Sequence, residues 1–212
     1  MNIEKLLENL KRAQIEAFFV ETRDKAREKV LEIIEKKRAE LSLEKKELKI
    51  SWGGSVTLDE CGIRDAVSSE YDALNPYAIS DPQKSAEAKR QALLSDVFLM
   101  SSNAITENGE IVNIDGNGNR LGALIHGPRM VIIVVGKNKI TPDIESAYKR
   151  VKEIACVKNA VRLKRQTPCA KNGVCSECKI AGGTICAHTV VTRFSTIPDR
   201  IKLIIVGEEL GY

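Results

Sequence analysis

The sequence has few aromatic residues, only two histidines and no long apolar run. Aromatics make up 4% of its 212 residues, and its 33 basic and 29 acidic side chains are mostly interleaved along the chain. Proteins that bind nucleic acid usually combine a segregated basic face with aromatic side chains, so we expect no nucleic-acid partner. No apolar stretch approaches the length of a membrane span, and residues 1–5 lack the apolar region of a secretory signal. We therefore expect a cytoplasmic protein without a membrane span.

The composition is otherwise that of an ordinary globular protein, with 43% hydrophobic and 29% charged residues. A chain of 212 residues can bury a full core, and one domain is the expectation. The six cysteines, in a reducing compartment, favour metal binding or reactive thiols over disulfides.

Three short apolar runs in the middle of the chain predict buried strands. They are Val97–Met100, Ile111–Asp115 and Met130–Gly136, each bounded by residues that favour turns. Asp81-Pro82 and Thr141-Pro142-Asp143 each place a capping residue before a proline, which predicts a helix start. Because helices and strands alternate, we predict an α/β fold with a largely parallel central sheet and helices on both faces.

The N-terminal pattern predicts a helix, a short strand and a second helix. Apolar residues from Ile3 recur at helical spacing, which predicts a first helix that ends near Ala17. Residues 18–20 then form a strand candidate, and Thr22 has the character of an N-cap for the next helix.

The turn Gly53-Gly54-Ser55 lies between a strand candidate and a helix start. Glycines let backbone amides approach a ligand, and the hydroxyl and helix start add donors for an anion. A strand-to-helix turn also needs glycine and a capping serine without any ligand, so both interpretations stay open.

Polar residues also follow the three predicted strands. Arg120 offers a planar fork for a carboxylate or phosphate, and Lys139 follows a strand at the edge where ligands lie in open parallel sheets. A capping loop with a surface arginine would explain the first of these equally well. Together the turns predict a cleft for a small anionic ligand. Its candidate binding residues are Gly53, Gly54, Ser55, Asn103, Asp115, Asn119, Arg120 and Lys139.

Glu107 is a tentative catalytic residue. It follows an apolar strand, where a carboxylate could act as nucleophile or base, although Asn108-Gly109 beside it also suits a simple turn. No nucleotide cofactor is expected, because the glycines at Gly116 and Gly118 lack the third glycine of a dinucleotide fingerprint.

Several short motifs resemble those of one protein family. They are found at 103–106, 113–116, 118–120, 127–128 and 136–139, with the 53–55 turn and the closing 206–212. This set resembles the LUD domain of lactate-utilisation proteins. The resemblance implies one LUD-like domain over 1–212 and the fold of the ribose-5-phosphate isomerase, glucosamine-6-phosphate deaminase and CoA-transferase superfamily. It also implies a ligand-binding subunit that supports oxidation of L-lactate, or a similar hydroxy acid, beside iron–sulfur partner proteins.

A narrower resemblance suggests an alternative function. Thr106-Glu107-Asn108-Gly109 is similar to the Ser-Glu-Asn-Gly segment of CoA transferases, which implies Glu107 as nucleophile of a stand-alone transferase or isomerase. Threonine replaces serine here, and Ser55 stands where a Gly-Gly-Phe element would have phenylalanine. A metal-stabilised ligand sensor or assembly factor is a third possibility.

The cysteine-rich segment 167–187 predicts a metal site. Four thiols with a Cys-x2-Cys pair suit Zn²⁺ or an iron–sulfur cluster, whereas a disulfide or idle surface thiols would give the same pattern. The candidate ligands are Cys169, Cys175, Cys178 and Cys186. Cys61 and Cys156 are predicted to pack in the core, and His126 and His188 to be structural.

Overall fold

The computed structural model describes residues 2–212, and helices and strands alternate along most of this length. The helices are α1 Ile3–Arg12, α2 Arg23–Glu40, α3 Val56–Glu60, α4 Ile63–Glu70, α5 Pro82–Gln91, α6 Asn119–Ile125, α7 Ile144–Arg150, α8 Cys156–Arg162 and α9 Pro168–Asn172. The strands are β1 Glu16–Val20, β2 Ile50–Trp52, β3 Ala73–Leu74, β4 Val97–Met100, β5 Ala104–Thr106, β6 Ile111–Asp115, β7 Met130–Gly136, β8 Ile140–Thr141, β9 His188–Thr192 and β10 Ile201–Val206.

The central sheet is parallel, as predicted. Its six strands within the described chain lie in the order β1-β10-β7-β4-β2-β3. Each adjacent pair is parallel, from β1 with β10 to β2 with β3. Parallel strands place all their carboxyl ends at one edge, so the turns after β2, β4 and β7 share that edge.

A second sheet takes the remaining strands, in the order β8-β5-β6-β9. In it β5 and β8 are parallel, while β6 runs antiparallel to both β5 and β9. The predicted strand β6 therefore leaves the central sheet and carries Asp115 at its end. The segment between β4 and β5 is short, so β5 begins near the end of β4. Because β6 runs antiparallel to β5, the end of β6 lies beside the start of β5 and so reaches the cavity described below.

The core forms two layers, one on each face of the central sheet. Alternate side chains of a strand face opposite sides, and here Leu99 and Ile132 pack with α2 while Phe98 and Met100 pack with α1 and α6. Both layers are buried. Helices thus cover both faces, as the alternation of elements predicts.

Two boundaries differ from the prediction. The first helix ends at Arg12, well before Ala17, because Gln14 adopts a left-handed φ of 57° that α-helix cannot continue. The helix after β8 is capped by Asp143, whose side chain accepts from the Ser146 amide, rather than by Thr141. Across residues 2–212 we find no helix with both the length and the apolar character that a bilayer crossing requires.

Candidate functional site: a cationic cavity at the strand ends

A cavity of about 470 Å³ opens where β2, β4 and β6 end. Its volume falls within the range of small-molecule sites. Predicted binding residues from four separate parts of the chain meet there. They are Gly54, Ser55, Asn103, Asp115, Asn119, Arg120 and Lys139.

The turn after β2 forms one wall of the cavity. Ser55 caps α3, its hydroxyl accepting from the Leu58 amide at 3.2 Å. Gly53 lies behind the wall, where a β-carbon would come within 2.4 Å of Cγ of Arg120. The glycine is therefore needed for close packing against Arg120, and the serine serves the helix as well as the cavity.

Arg120 supplies positive charge, but its guanidinium also ties the neighbouring loops together. It donates to the backbone oxygens of Ser101 and Ile114, both at 3.0 Å, and to Oδ1 of Asn103 at 3.2 Å. Nε lies 3.7 Å from Oδ2 of Asp115. Because these groups engage its donors, Arg120 orders the site rather than presenting an open fork to the ligand.

Lys139 lies on the floor of the cavity and is 3% exposed. Its Nζ donates to Oγ1 of Thr57 at 2.9 Å and to Oγ of Ser101 at 3.0 Å. Burial, with the charges of Arg150 and Arg120 nearby, lowers the pKa of Lys139 to about 7. This amine can therefore be neutral near physiological pH.

The rim carries three cations that the sequence patterns did not single out. They are Lys89, Arg162 and Arg165. Arg162 ends α8, and Arg165 follows it, donating to the Gly182 oxygen at 3.4 Å. Lys89 lies over the ring of Tyr77, which also lines the cavity. Among the described lining residues, Lys89, Arg120, Arg162 and Arg165 are cationic, and Lys139 adds a fifth positive charge when it is protonated. The one acidic lining residue is Asp115, so the cavity suits an anion.

Glu107 does not line this cavity. It lies in the turn between β5 and β6, at the opposite end of β6 from Asp115. Its backbone oxygen accepts from the Asn9 side chain, and its amide donates to the Thr141 oxygen. The structure therefore brings the predicted binding residues together and leaves the tentative catalytic carboxylate apart from them.

A second cavity, of about 610 Å³, collects the thiols of the C-terminal segment. Five cysteines line it: Cys156, Cys169, Cys175, Cys178 and Cys186. Cys156 also packs in the core, as predicted, but its place beside the other thiols was not foreseen. It hydrogen-bonds to Cys186, which raises the pKa of the Cys156 thiol and lowers that of Cys186.

The thiols are not arranged as a ligand set. Within residues 2–212, no group of three histidine, cysteine or acidic side chains is positioned to hold a metal ion. All six cysteines are free thiols. The two cavities share a wall at Ile114, Thr184 and Ile185, so the cysteine-rich segment also bounds the cationic cavity.

The family model described as LUD domain matches residues 3–206. Among solved structures, a DUF162 family protein from Deinococcus radiodurans is 13% identical with a TM-score of 0.54, covering 97% of this chain and 96% of that chain. The delta chain of eIF2B from Chaetomium thermophilum is 17% identical with a TM-score of 0.28, covering 55% of this chain and 50% of that chain. The comparison with curated proteins finds no match.

Proposed function

The chain belongs to the LUD domain family, and we propose that its cationic cavity binds a small carboxylate, L-lactate or a similar hydroxy acid. The observation that carries this proposal is the charge of the lining, four cations besides Lys139 against one carboxylate. Oriented hydroxyls and amides beside those cations suit the hydroxyl and carboxylate groups of such an acid. The volume of about 470 Å³ also leaves room for a hydroxy acid larger than lactate.

We further propose that the protein acts as a ligand-binding subunit beside iron–sulfur redox proteins. This role is supported by its family membership. Affinity purification of the native complex, followed by identification of co-purifying proteins, tests it. Iron–sulfur proteins in stoichiometric amounts are expected, and a chain that purifies alone from cells grown on lactate would contradict the role.

Calorimetric titration with L-lactate tests the binding proposal. Arg162→Gln and Arg165→Gln each remove one rim cation from an exposed position, so we expect Kd to rise by roughly twofold to fivefold. Arg12→Gln is the matched control, because Arg12 is exposed at the end of α1 and does not line the cavity. Equal affinities for all three variants and the wild type would refute the proposal.

The stand-alone transferase is less well supported. It needs Glu107 to meet a bound substrate, and Glu107 lines neither cavity. The binding role instead uses residues that the structure brings together.

The thiol cavity supports a separate proposal, that the cysteine-rich segment takes up Zn²⁺ or an iron–sulfur cluster. The donors are soft thiols that suit either group, with Cys156 added to the predicted four. As placed they do not form a ligand set, so the segment would have to close around the metal. Metal analysis and a visible spectrum of anaerobically purified protein test this, and metal-free, featureless protein would end it.

A further inference from the structure

We infer that Lys139 is a nucleophilic amine that forms an imine with a carbonyl-bearing carboxylate, such as a 2-oxo acid, held in the cationic cavity. This inference rests on the proposed function, since the carboxylate brings the carbonyl compound into the cavity. It adds a covalent step at a residue that binding alone would use only as a polar contact of the ligand.

The contacts of Lys139 are those of an amine rather than of an ion-paired ammonium. Within residues 2–212, the hydrogen-bond partners of Nζ are the hydroxyls of Thr57 and Ser101, and no carboxylate lies within 4.0 Å of it. A buried lysine that serves only structure is usually paired with an acid. A neutral amine gives its two hydrogens to the two hydroxyls and keeps its electron pair for a ligand.

The surroundings favour the neutral form of the amine. Lys139 is buried, and the guanidinium groups of Arg150 and Arg120 oppose a further positive charge there. Glu60 and Cys61 act in the opposite direction, but more weakly. The pKa of Lys139 is accordingly lowered to about 7. Lysines with a lowered pKa in such sites are the ones that form imines with carbonyl substrates.

The step balances with one proton taken up from solvent. The electron pair of Nζ attacks the carbonyl carbon, an N–C bond forms, and a proton passes from the nitrogen to the oxygen to give a carbinolamine. The hydroxyl then takes up a proton from solvent and leaves as water, which breaks the C–O bond and leaves the protonated imine. The hydroxyls of Thr57 and Ser101 lie 2.9 and 3.0 Å from Nζ and can pass the protons between nitrogen and oxygen.

Reductive trapping tests the inference on the wild-type protein. The protein is incubated with pyruvate and sodium cyanoborohydride, digested, and its modified lysines are identified by mass spectrometry. We expect the adduct at Lys139, with little at Lys137, which is exposed in the same turn but does not line the cavity. Labelling should rise about tenfold between pH 6 and pH 8, as a group of pKa about 7 loses its proton.

L-Lactate and two variants provide the controls. L-Lactate carries the same carboxylate without a carbonyl, so it should compete with labelling and form no adduct itself. Lys139→Met should abolish the adduct, and Lys139→Arg should abolish it while keeping a cation in place. Lys137→Met should leave it unchanged.

The outcomes separate this inference from the proposed function. Calorimetric binding of pyruvate without an adduct at Lys139 overturns the inference and leaves carboxylate binding intact. Equal labelling of Lys137 and Lys139 also overturns it, because exposed lysines react without a site. Absence of both binding and adduct overturns the two together.

Discussion

Replacing Gly53 by alanine should destabilise the protein, whereas the same change at Gly54 should not. The two glycines are adjacent in the turn after β2, so they differ in what lies beside them rather than in secondary structure. A β-carbon at Gly53 would lie 2.4 Å from Cγ and 2.8 Å from Cδ of Arg120. At Gly54 the nearest atom is 3.5 Å away, on the Tyr77 ring, which is an ordinary contact.

The size of the effect follows from the contacts of Arg120. Its side chain cannot swing aside without losing its hydrogen bonds to the backbone oxygens of Ser101 and Ile114. Overpacking of this kind destabilises the folded protein by about 1–3 kcal/mol. Alanine also restricts the unfolded chain more than glycine does, which offsets about 0.4–1 kcal/mol of that loss. We therefore expect Gly53→Ala to lower the free energy of unfolding by about 1–2 kcal/mol, which is a fall in Tm of roughly 2–8 °C.

Urea denaturation and thermal melting of the two variants measure this difference. A double-mutant cycle sharpens it, because Gly53→Ala should cost little once Arg120→Ala has removed the obstructing side chain. Equal losses at the two glycines, or a Gly53→Ala penalty unchanged by Arg120→Ala, would show that contact with Arg120 is not the cause.

Three further outcomes are expected. Arg200 is buried and donates to the oxygens of Ala123, Leu124 and Pro128, so Arg200→Ala should lower the free energy of unfolding by about 3 kcal/mol in urea denaturation, while the exposed Arg193→Ala leaves it nearly unchanged. Hydrogen bonds from Arg38 lower the pKa of Glu35 to about 2, so the stability that this carboxylate contributes is present above its ordinary pKa and is lost as pH falls towards 2. Thermal melts should therefore show Glu35→Gln less stable than the wild type near neutral pH, with the difference vanishing in acid. Incubation with an acyl-CoA and borohydride should leave Glu107 unlabelled, and a labelled Glu107 peptide would restore the transferase.

The central sheet was predictable because its inner strands have a clear sequence pattern. β4 and β7 are unbroken apolar runs buried on both faces, and turn residues bound them. The second sheet was not predictable in the same way. β5 and β8 are three and two residues long, too short to show a strand pattern. Such strands depend on their partners, which local pattern does not reveal.

Capping residues were predicted well where their chemistry is local. Thr22, Ser55 and Asp81 each cap a helix through the expected side-chain hydrogen bond. The positive φ of Gln14 was not foreseen, because glutamine carries no preference for that conformation.

The site could be predicted only where residues follow strands. Lys139 and Arg120 come after or near strand ends, so topology predicts that they meet. Arg162 and Arg165 lie at the end of an exposed helix, where basic residues ordinarily face solvent. Their role depends on how α8 packs beside the cavity. The contact between Cys156 and Cys186 was also not predicted, because Cys156 lies far along the chain from the Cys-rich segment.

A crystal structure of the protein with L-lactate bound tests the central claim most directly. We expect the carboxylate to lie in the cavity between β2, β4 and β6, within hydrogen-bonding reach of its cationic and hydroxyl groups. Lactate bound at a different surface, at a concentration that saturates the protein in solution, would contradict it.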